Sequence, residues 1–236
     1  VSGGLLELVI VPAYNEAPTL ASLLAEVRRA APELDVVVID DGSTDDTARI
    51  ATGSGARVLR HPFNLGYGAA LQTGYKYALD RGAERVVQMD ADGQHLPEEI
   101  PSLLAPVRRD ECDLVVGSRF LAPGGYEMGA LRSLGRHVFR AVARAAGLTL
   151  TDPTSGFQAM NRRVVQLFSG DWFPGDYPDV DVLLAAVRSG LRLRELPVRM
   201  APGARPSTLH SGWKPVYYVY KMLLSTWAGT GAGRHR

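Results

Sequence analysis

Short runs rich in valine, isoleucine and leucine alternate along the first half of the chain with longer segments whose apolar positions recur at helical spacing. The runs predict strands at about 6–11, 35–40, 56–60, 84–90 and 113–117, because near-continuous apolar stretches of this length suit strands buried on both faces. Helices are predicted between them at about 18–31, 45–53, 67–81 and 97–108. Pro18 and Pro97 suit first helical turns, and Ser43 or Thr44 suits a cap. This alternation predicts an α/β fold with a mostly parallel sheet.

Beyond Arg119 the pattern changes. A Gly/Pro loop at 122–125 precedes a predicted helix at about 129–147, an extended stretch around 152–160 and a short helix near 162–168. A turn-rich stretch, a helix near 180–189 and a strand near 191–198 follow. The segment 201–212 reads as loop, and 214–227 as a tyrosine-rich helix.

Composition narrows the classes. With 236 residues and 46% hydrophobic content the chain can bury a sizeable core. A net charge of +1 gives no case for a nucleic-acid partner. The charge is unevenly spread, however: from Arg188 onward nine basic side chains face one acid, Glu195, so that segment should favour anions. One cysteine, Cys112, excludes an internal disulfide and fits a reducing compartment, which makes the cytoplasm the expected location. The first apolar run has neither a basic flank nor a cleavage site of the signal-peptide kind. No run approaches the roughly 20 apolar residues of a membrane span.

The fourth predicted strand runs into Asp90-Ala91-Asp92-Gly93-Gln94-His95. Two carboxylates at i and i+2, where a parallel strand ends, can both turn toward the crevice at the sheet's carboxyl edge. Such oxygen donors suit Mg2+ or Mn2+ shared with a substrate phosphate. Such a pair can equally begin an ordinary turn, and the strand before it together with a second acidic motif favours the metal. Gln94 can add a neutral oxygen; His95 reads either as a turn residue bonding backbone or as a direct participant.

The second acidic motif, from Asp40 to Thr47, closes the second strand, and Pro12-Ala13-Tyr14-Asn15-Glu16 closes the first. An acid there can accept hydrogen bonds from a base or ribose, and Gly42 permits a close backbone approach. Ser43 and Asp45 are also suited to helix capping. Neither a P-loop nor a G-x-G-x-x-G fingerprint follows the first strand, so phosphates must be held by metal and cations.

P-A-Y-N-E, D-D-G-S-T-D-D-T, N-L-G-Y-G-A-A, D-A-D-G-Q-H-x-P-E and D-P-T-S-G-F-Q-A-M, in this order over about residues 6–200, resemble glycosyltransferase family 2, in particular its dolichol-phosphate mannosyltransferase-like, polyprenyl-phosphate branch. The resemblance implies a GT-A fold over about 1–200, with a nucleotide-sugar half to about 118, an acceptor half from 119, and a C-terminal segment 201–236. It implies an inverting, metal-dependent transfer of a hexose from a GDP-mannose or UDP-glucose type donor to a polyprenyl or dolichyl phosphate. Donor contacts are implied for Pro12, Ala13, Tyr14, Glu16, Asp40, Asp41, Asn64, Gly66, Asp90, Ala91, Asp92 and Arg205, and metal ligation for Asp90, Asp92 and Gln94.

A phosphate acceptor is already anionic, so its site needs cations, whereas a hydroxyl acceptor needs a carboxylate base. Arg132, Arg136, Arg140 and Arg144 recur every four residues along one helical face. The resemblance assigns the acceptor phosphate to Arg119, Arg132 and Arg136; a solvated basic face is the alternative, favoured for Arg140 and Arg144. Asp152 matches an acid near the reaction centre, while Asp179 and Asp181 fall near where hydroxyl-acceptor relatives keep a base or else cap a helix. Catalytic roles are thus expected for Asp92, Asp152 and Asp181. Arg199 and Arg205 are alternatives for closing over the donor diphosphate.

Trp213 to Trp227, with its aromatics and lysines, suits either a membrane surface or packing on the protein itself or a homodimer partner. A peripheral position at the inner face of the cytoplasmic membrane is the corresponding expectation. The rivals are a family 2 enzyme with a soluble or glycan hydroxyl acceptor, a nucleotidyltransferase, and a silent sugar-nucleotide binder.

Overall fold

The computed structural model describes residues 5–121, 150–176, 178 and 180–201. The predicted helices at 129–147 and 214–227 lie outside them, as do Arg132, Arg136, Asp179 and Arg205.

Seven strands form one sheet in the order β3-β2-β1-β4-β6-β5-β7. They are β1 (Glu7–Ala13), β2 (Asp35–Asp40), β3 (Arg57–Arg60), β4 (Arg85–Gln88), β5 (Leu114–Ser118), β6 (Gln158–Asn161) and β7 (Leu193–Pro197). Pairing is parallel except at β6, which runs antiparallel to β4 on one side and β5 on the other. The expected extended stretch at 152–160 therefore yields a strand only at its end, and that strand joins the two parts of the sheet. Asn161 fixes this insertion, since its amide donates to Asp113 Oδ1 at 2.8 Å and its N–H to Asp113 O at 2.9 Å.

The helices are α1 (Ala17–Ala30), α2 (Thr47–Gly53), α3 (Tyr67–Asp80), α4 (Ile100–Arg108), α5 (Arg162–Phe168) and α6 (Val180–Arg188). Alternate residues of β1 show why both faces need cover. Leu8 and Ile10 enter a core with Leu71 and Tyr75 of α3 and Phe168 of α5, while Val9 and Val11 enter one with Leu20 and Leu24 of α1 and Leu104 of α4. Gly74 lets α3 lie close on the sheet, because a Cβ there would come within 2.6 Å of Ile10.

Pro18 stands in the first turn of α1, and Pro97 opens a 3-10 turn leading into α4, as expected. The reading of Ser43 or Thr44 as a helix cap is corrected: α2 starts at Thr47. The Ser43 hydroxyl instead accepts the Asn15 N–H at 2.9 Å, and Thr44 donates its N–H to Asn15 Oδ1 at 2.9 Å. These bonds tie the loop after β2 to the loop after β1. Asp45 does serve α2, accepting the Thr47 N–H at 3.0 Å.

Candidate active site

The ends of β1, β2 and β4 bring the motif loops to one edge. Ala13 lies in register with Asp40, and Gln88 with Ile10. The chain leaves β4 at Gln88 rather than at the expected residue 90, so Met89 and Asp90 already belong to the turn. Thr19 of α1 secures that turn by donating its hydroxyl to Ala91 O at 2.8 Å, between the two aspartates.

Asp90 and Asp92 are held by different partners. Asp90 Oδ1 accepts the Tyr67 hydroxyl at 2.7 Å, and the Asp90 N–H is donated to His95 Nδ1 at 2.9 Å. His95 is thus the backbone-bonding turn residue of the two readings, and its ring stacks on Phe157 at 4.8 Å. Asp92 accepts the Gln94 N–H at 2.9 Å and the Gln94 amide at 2.6 Å, which leaves the amide oxygen turned away from that carboxylate. Gly156 borders the corner: a Cβ there would stand 3.0 Å from Asp90 Oδ2 and 2.9 Å from the Tyr67 oxygen. Burial, and after it the Asp90 charge, pushes the Tyr67 hydroxyl well above its ordinary range, so it remains a donor.

Carboxylate and amide oxygens are the donors that suit Mg2+ or Mn2+. Among the described residues, no three or more of His, Cys, Asp and Glu gather into a closed metal cage. Asp90 and Asp92 thus offer carboxylate oxygens at one corner without completing a metal site by themselves.

On the β1 and β2 side, Pro12 and Ala13 are buried while Tyr14 is 46% exposed at the mouth. Asn15 adopts φ 56°, and its side-chain bonds to the 43–44 turn stabilise that left-handed backbone. Glu16 is half-buried and donates its backbone N–H to Thr47 Oγ1 at 2.9 Å. Asp40 is fully buried; Oδ1 accepts the Ser43 N–H at 3.0 Å, and Oδ2 lies 3.0 Å from Arg60 Nε in an ion pair without hydrogen-bond alignment. Asp41 Oδ1 accepts from His61 Nδ1 at 2.7 Å and from Leu65 N at 2.9 Å, and Oδ2 from Gly66 N at 2.9 Å. It thereby fixes the loop that carries Asn64, which is exposed, and Gly66. A Cβ on Gly42, at φ +71°, would meet Phe63 C at 2.5 Å, so that loop packs backbone against backbone.

Arg119 and Asp152 come together across the sheet edge. Nε donates to Oδ2 at 2.7 Å and Nη2 to Oδ1 at 3.1 Å. The Asp152 side chain is 1% exposed and that of Arg119 26%. Glu195 of β7 supports the pair from behind, accepting the Asp152 N–H at 2.6 Å and the Thr151 hydroxyl at 2.8 Å. Asp181 lies in the first turn of α6, where Oδ1 accepts the Val182 N–H at 3.0 Å. Arg199 is bound to Glu99 and Glu98, each at 2.8 Å. Ala201 donates its N–H to Gln94 O at 2.9 Å, so the chain passes the carboxylate turn there.

Tyr67 and Gly156 stand inside sequence motifs that mark no role for either, and His61 stands in none. Glu195 reads in the sequence as a lone acid in a basic segment. The signal for Tyr67 was its place in N-L-G-Y-G, in front of a helix that must meet the sheet edge.

The sequence model described as Glycosyl transferase family 2 matches residues 8–168. An undecaprenyl-phosphate mannosyltransferase of Micrococcus luteus is 36% identical over 203 residues, covering 81% of this chain and 82% of its own. A polyprenol monophosphomannose synthase of Mycolicibacterium smegmatis is 32% identical over 204 residues, with 81% and 76% covered. Among solved structures, glucosyl-3-phosphoglycerate synthase from Mycobacterium tuberculosis in complex with Mn2+ and UDP-glucose is similar with a TM-score of 0.72 at 27% identity, over 94% of this chain and 79% of that one.

Proposed function

Since the chain belongs to glycosyl transferase family 2 and is a glycosyltransferase of the GT-A fold, we propose that it transfers a hexose from a nucleotide-sugar donor to a polyprenyl phosphate, with inversion. The observation that carries the acceptor class is the pairing of Arg119 with Asp152. Both oxygens of the acid nearest that arginine are taken by its guanidinium, so Asp152 is committed to an ion pair and is not placed as a base. A phosphate monoester needs the cation and no base. The names of the two curated relatives, each a transferase to a polyprenyl phosphate, support the same reading.

In this reading the donor base and ribose lie between the Pro12–Glu16 and Asp40–Gly42 loops, with Tyr14 at the mouth and Asp41 holding the 61–66 loop in shape. Asp90 and Asp92 would hold Mg2+ or Mn2+, which when bound would screen the charge of the nucleoside diphosphate as it leaves; the Gln94 amide, expected from the sequence as a third ligand, instead donates to Asp92 and orients it. Arg119 orients the acceptor phosphate. One of its oxygens forms the new bond to the anomeric carbon while the bond to the diphosphate breaks, and no proton has to be removed. Asp152 acts through Arg119. Arg205 is assigned to the donor diphosphate, because Arg199 is committed to Glu98 and Glu99. Among the described residues no helix is long and apolar enough to cross a membrane; a polyprenyl acceptor would bring the site to a membrane surface, for which the inner face of the cytoplasmic membrane is proposed.

The test offers GDP-mannose and UDP-glucose in turn with polyprenyl phosphate in detergent. A lipid product that releases its sugar in mild acid is expected. An acid-stable glycoside formed on a hydroxyl acceptor, with no lipid product, would replace the acceptor assignment and leave the family untouched.

A further inference from the structure

Resting on the metal reading above, we propose that Tyr67 is a positioning residue for Asp90, the end of a hydrogen-bond relay that runs from the core of α3 through β4 to the metal corner. Three bonds make the relay. The Tyr75 hydroxyl donates to Gln88 Oε1, Gln88 Nε2 donates to the Tyr67 oxygen at 3.3 Å, and the Tyr67 hydroxyl donates to Asp90 Oδ1 at 2.7 Å.

The direction of each bond follows from the one before. A carbonyl oxygen only accepts, so Tyr75 must give its proton to Gln88. The Gln88 nitrogen end then faces Tyr67 and fills its acceptor side, leaving the Tyr67 hydrogen for Asp90. Tyr75 and Gln88 are buried, at 1% and 4% exposure, so the inner end of the relay is anchored away from water, while Tyr67 and Asp90 at its outer end are half-buried. Asp90 is held at Oδ1 and at its backbone N–H, and Oδ2, with His95 Nε2 at 3.7 Å, is the oxygen turned toward a cation in this reading.

Space is arranged to the same end. Gly156 passes over both members of the last bond, and a methyl group there would lie 2.9 Å from the Tyr67 oxygen and 3.0 Å from Asp90 Oδ2. The antiparallel turn into β6 thus keeps a lid without a side chain over the pair. Partners that orient a ligating carboxylate contribute about 10–100-fold to metal affinity.

The experiment follows the melting temperature as Mn2+ is titrated into protein saturated with UDP in one arm and GDP in the other. Tyr67→Phe should raise the half-saturating Mn2+ concentration about 10–100-fold, on top of a metal-free melting temperature lowered by a few degrees as Gln88 Nε2 loses its acceptor. Gly156→Ala, which pushes on the same bond without removing it, should shift the Mn2+ curve in the same direction and carries the test if Tyr67→Phe does not fold. Asp92→Asn separates the two levels of the argument. If it and wild type respond to Mn2+ alike, the metal reading fails; if Asp92→Asn loses the response while the Tyr67 and Gly156 variants titrate as wild type, the relay alone is overturned.

Discussion

Arg119 grips Asp152 through two parallel hydrogen bonds, while Asp152 is itself held by Glu195 through its backbone N–H. A charge-assisted bond of this kind is worth about 1.5–3 kcal/mol. Arg119→Ala should therefore lower kcat/KM for polyprenyl phosphate about 10–100-fold. Asp152→Asn should act in the same direction, since the guanidinium would face an amide N–H in place of one oxygen. Initial rates against acceptor at saturating donor check both. A change confined to the donor KM would contradict the assignment of Arg119 to the acceptor.

Metal removal gives the second outcome. Chelation by EDTA should bring transfer to background, and either Mn2+ or Mg2+ should restore it. Asp92→Asn should cost on the order of a hundredfold or more in kcat. Its fold should survive, because among the described residues the carboxylate bonds only its own turn, at Gln94. Full activity in the presence of chelator would remove the cation from the mechanism.

Far from this edge, Asp113 makes the chain acid-sensitive. Burial by itself pushes its carboxyl up, but the Arg192 side chain and backbone N–H and the Asn161 amide outweigh it and hold it at about 2. A pKa depressed below the ordinary carboxylate value contributes stability that is full above about pH 4 and is lost as the pH falls toward 2. That contribution is about 1–2 kcal/mol. Asp113→Asn should thus lower stability at neutral pH and flatten the acid limb of a denaturation curve taken between those limits.

Much of this was legible in the chain, and for a common reason. Strands buried on both faces write themselves as unbroken apolar runs, and the acids that end them mark the carboxyl edge; Asp40, Asp90 and the Pro12–Glu16 loop were all readable that way. What escaped were relationships between residues distant in sequence. Asp152 reads as an acid near the chemistry, but its 33-residue reach to Arg119 depends on β6 inserting antiparallel, and four residues from Gln158 to Asn161 carry no signal of direction. Tyr67 in a first helical turn looks like any amphipathic tyrosine until Gln88 and Asp90 are set beside it. Ser43 has a cap's chemistry and uses it on Asn15, because joining two loops at the edge outcompetes a helix whose first N–H groups Asp45 already serves.

The same distinction decides what Asp41 does. An acid that only touched the donor could be replaced by asparagine with a loss of nucleotide affinity and no change in the metal-free and ligand-free protein. Asp41, however, accepts from His61, Leu65 and Gly66. In Asp41→Asn the amide NH2 has to face a donor. Turned toward Oδ1's position it meets both the Leu65 N–H and His61. The less costly choice is Oδ2's position, where it meets the Gly66 N–H alone. One buried bond lost to such an opposition costs about 1–3 kcal/mol, and each kcal/mol lowers the melting temperature of a chain this size by about 2–4 °C. The expected outcome is a lower melting temperature without any ligand, together with weaker UDP or GDP binding as the 61–66 loop loosens. Thermal melts of the unliganded variant decide it: an unshifted melt with weakened nucleotide binding would mean that Asp41 serves the donor directly and that its three protein bonds are dispensable to the fold.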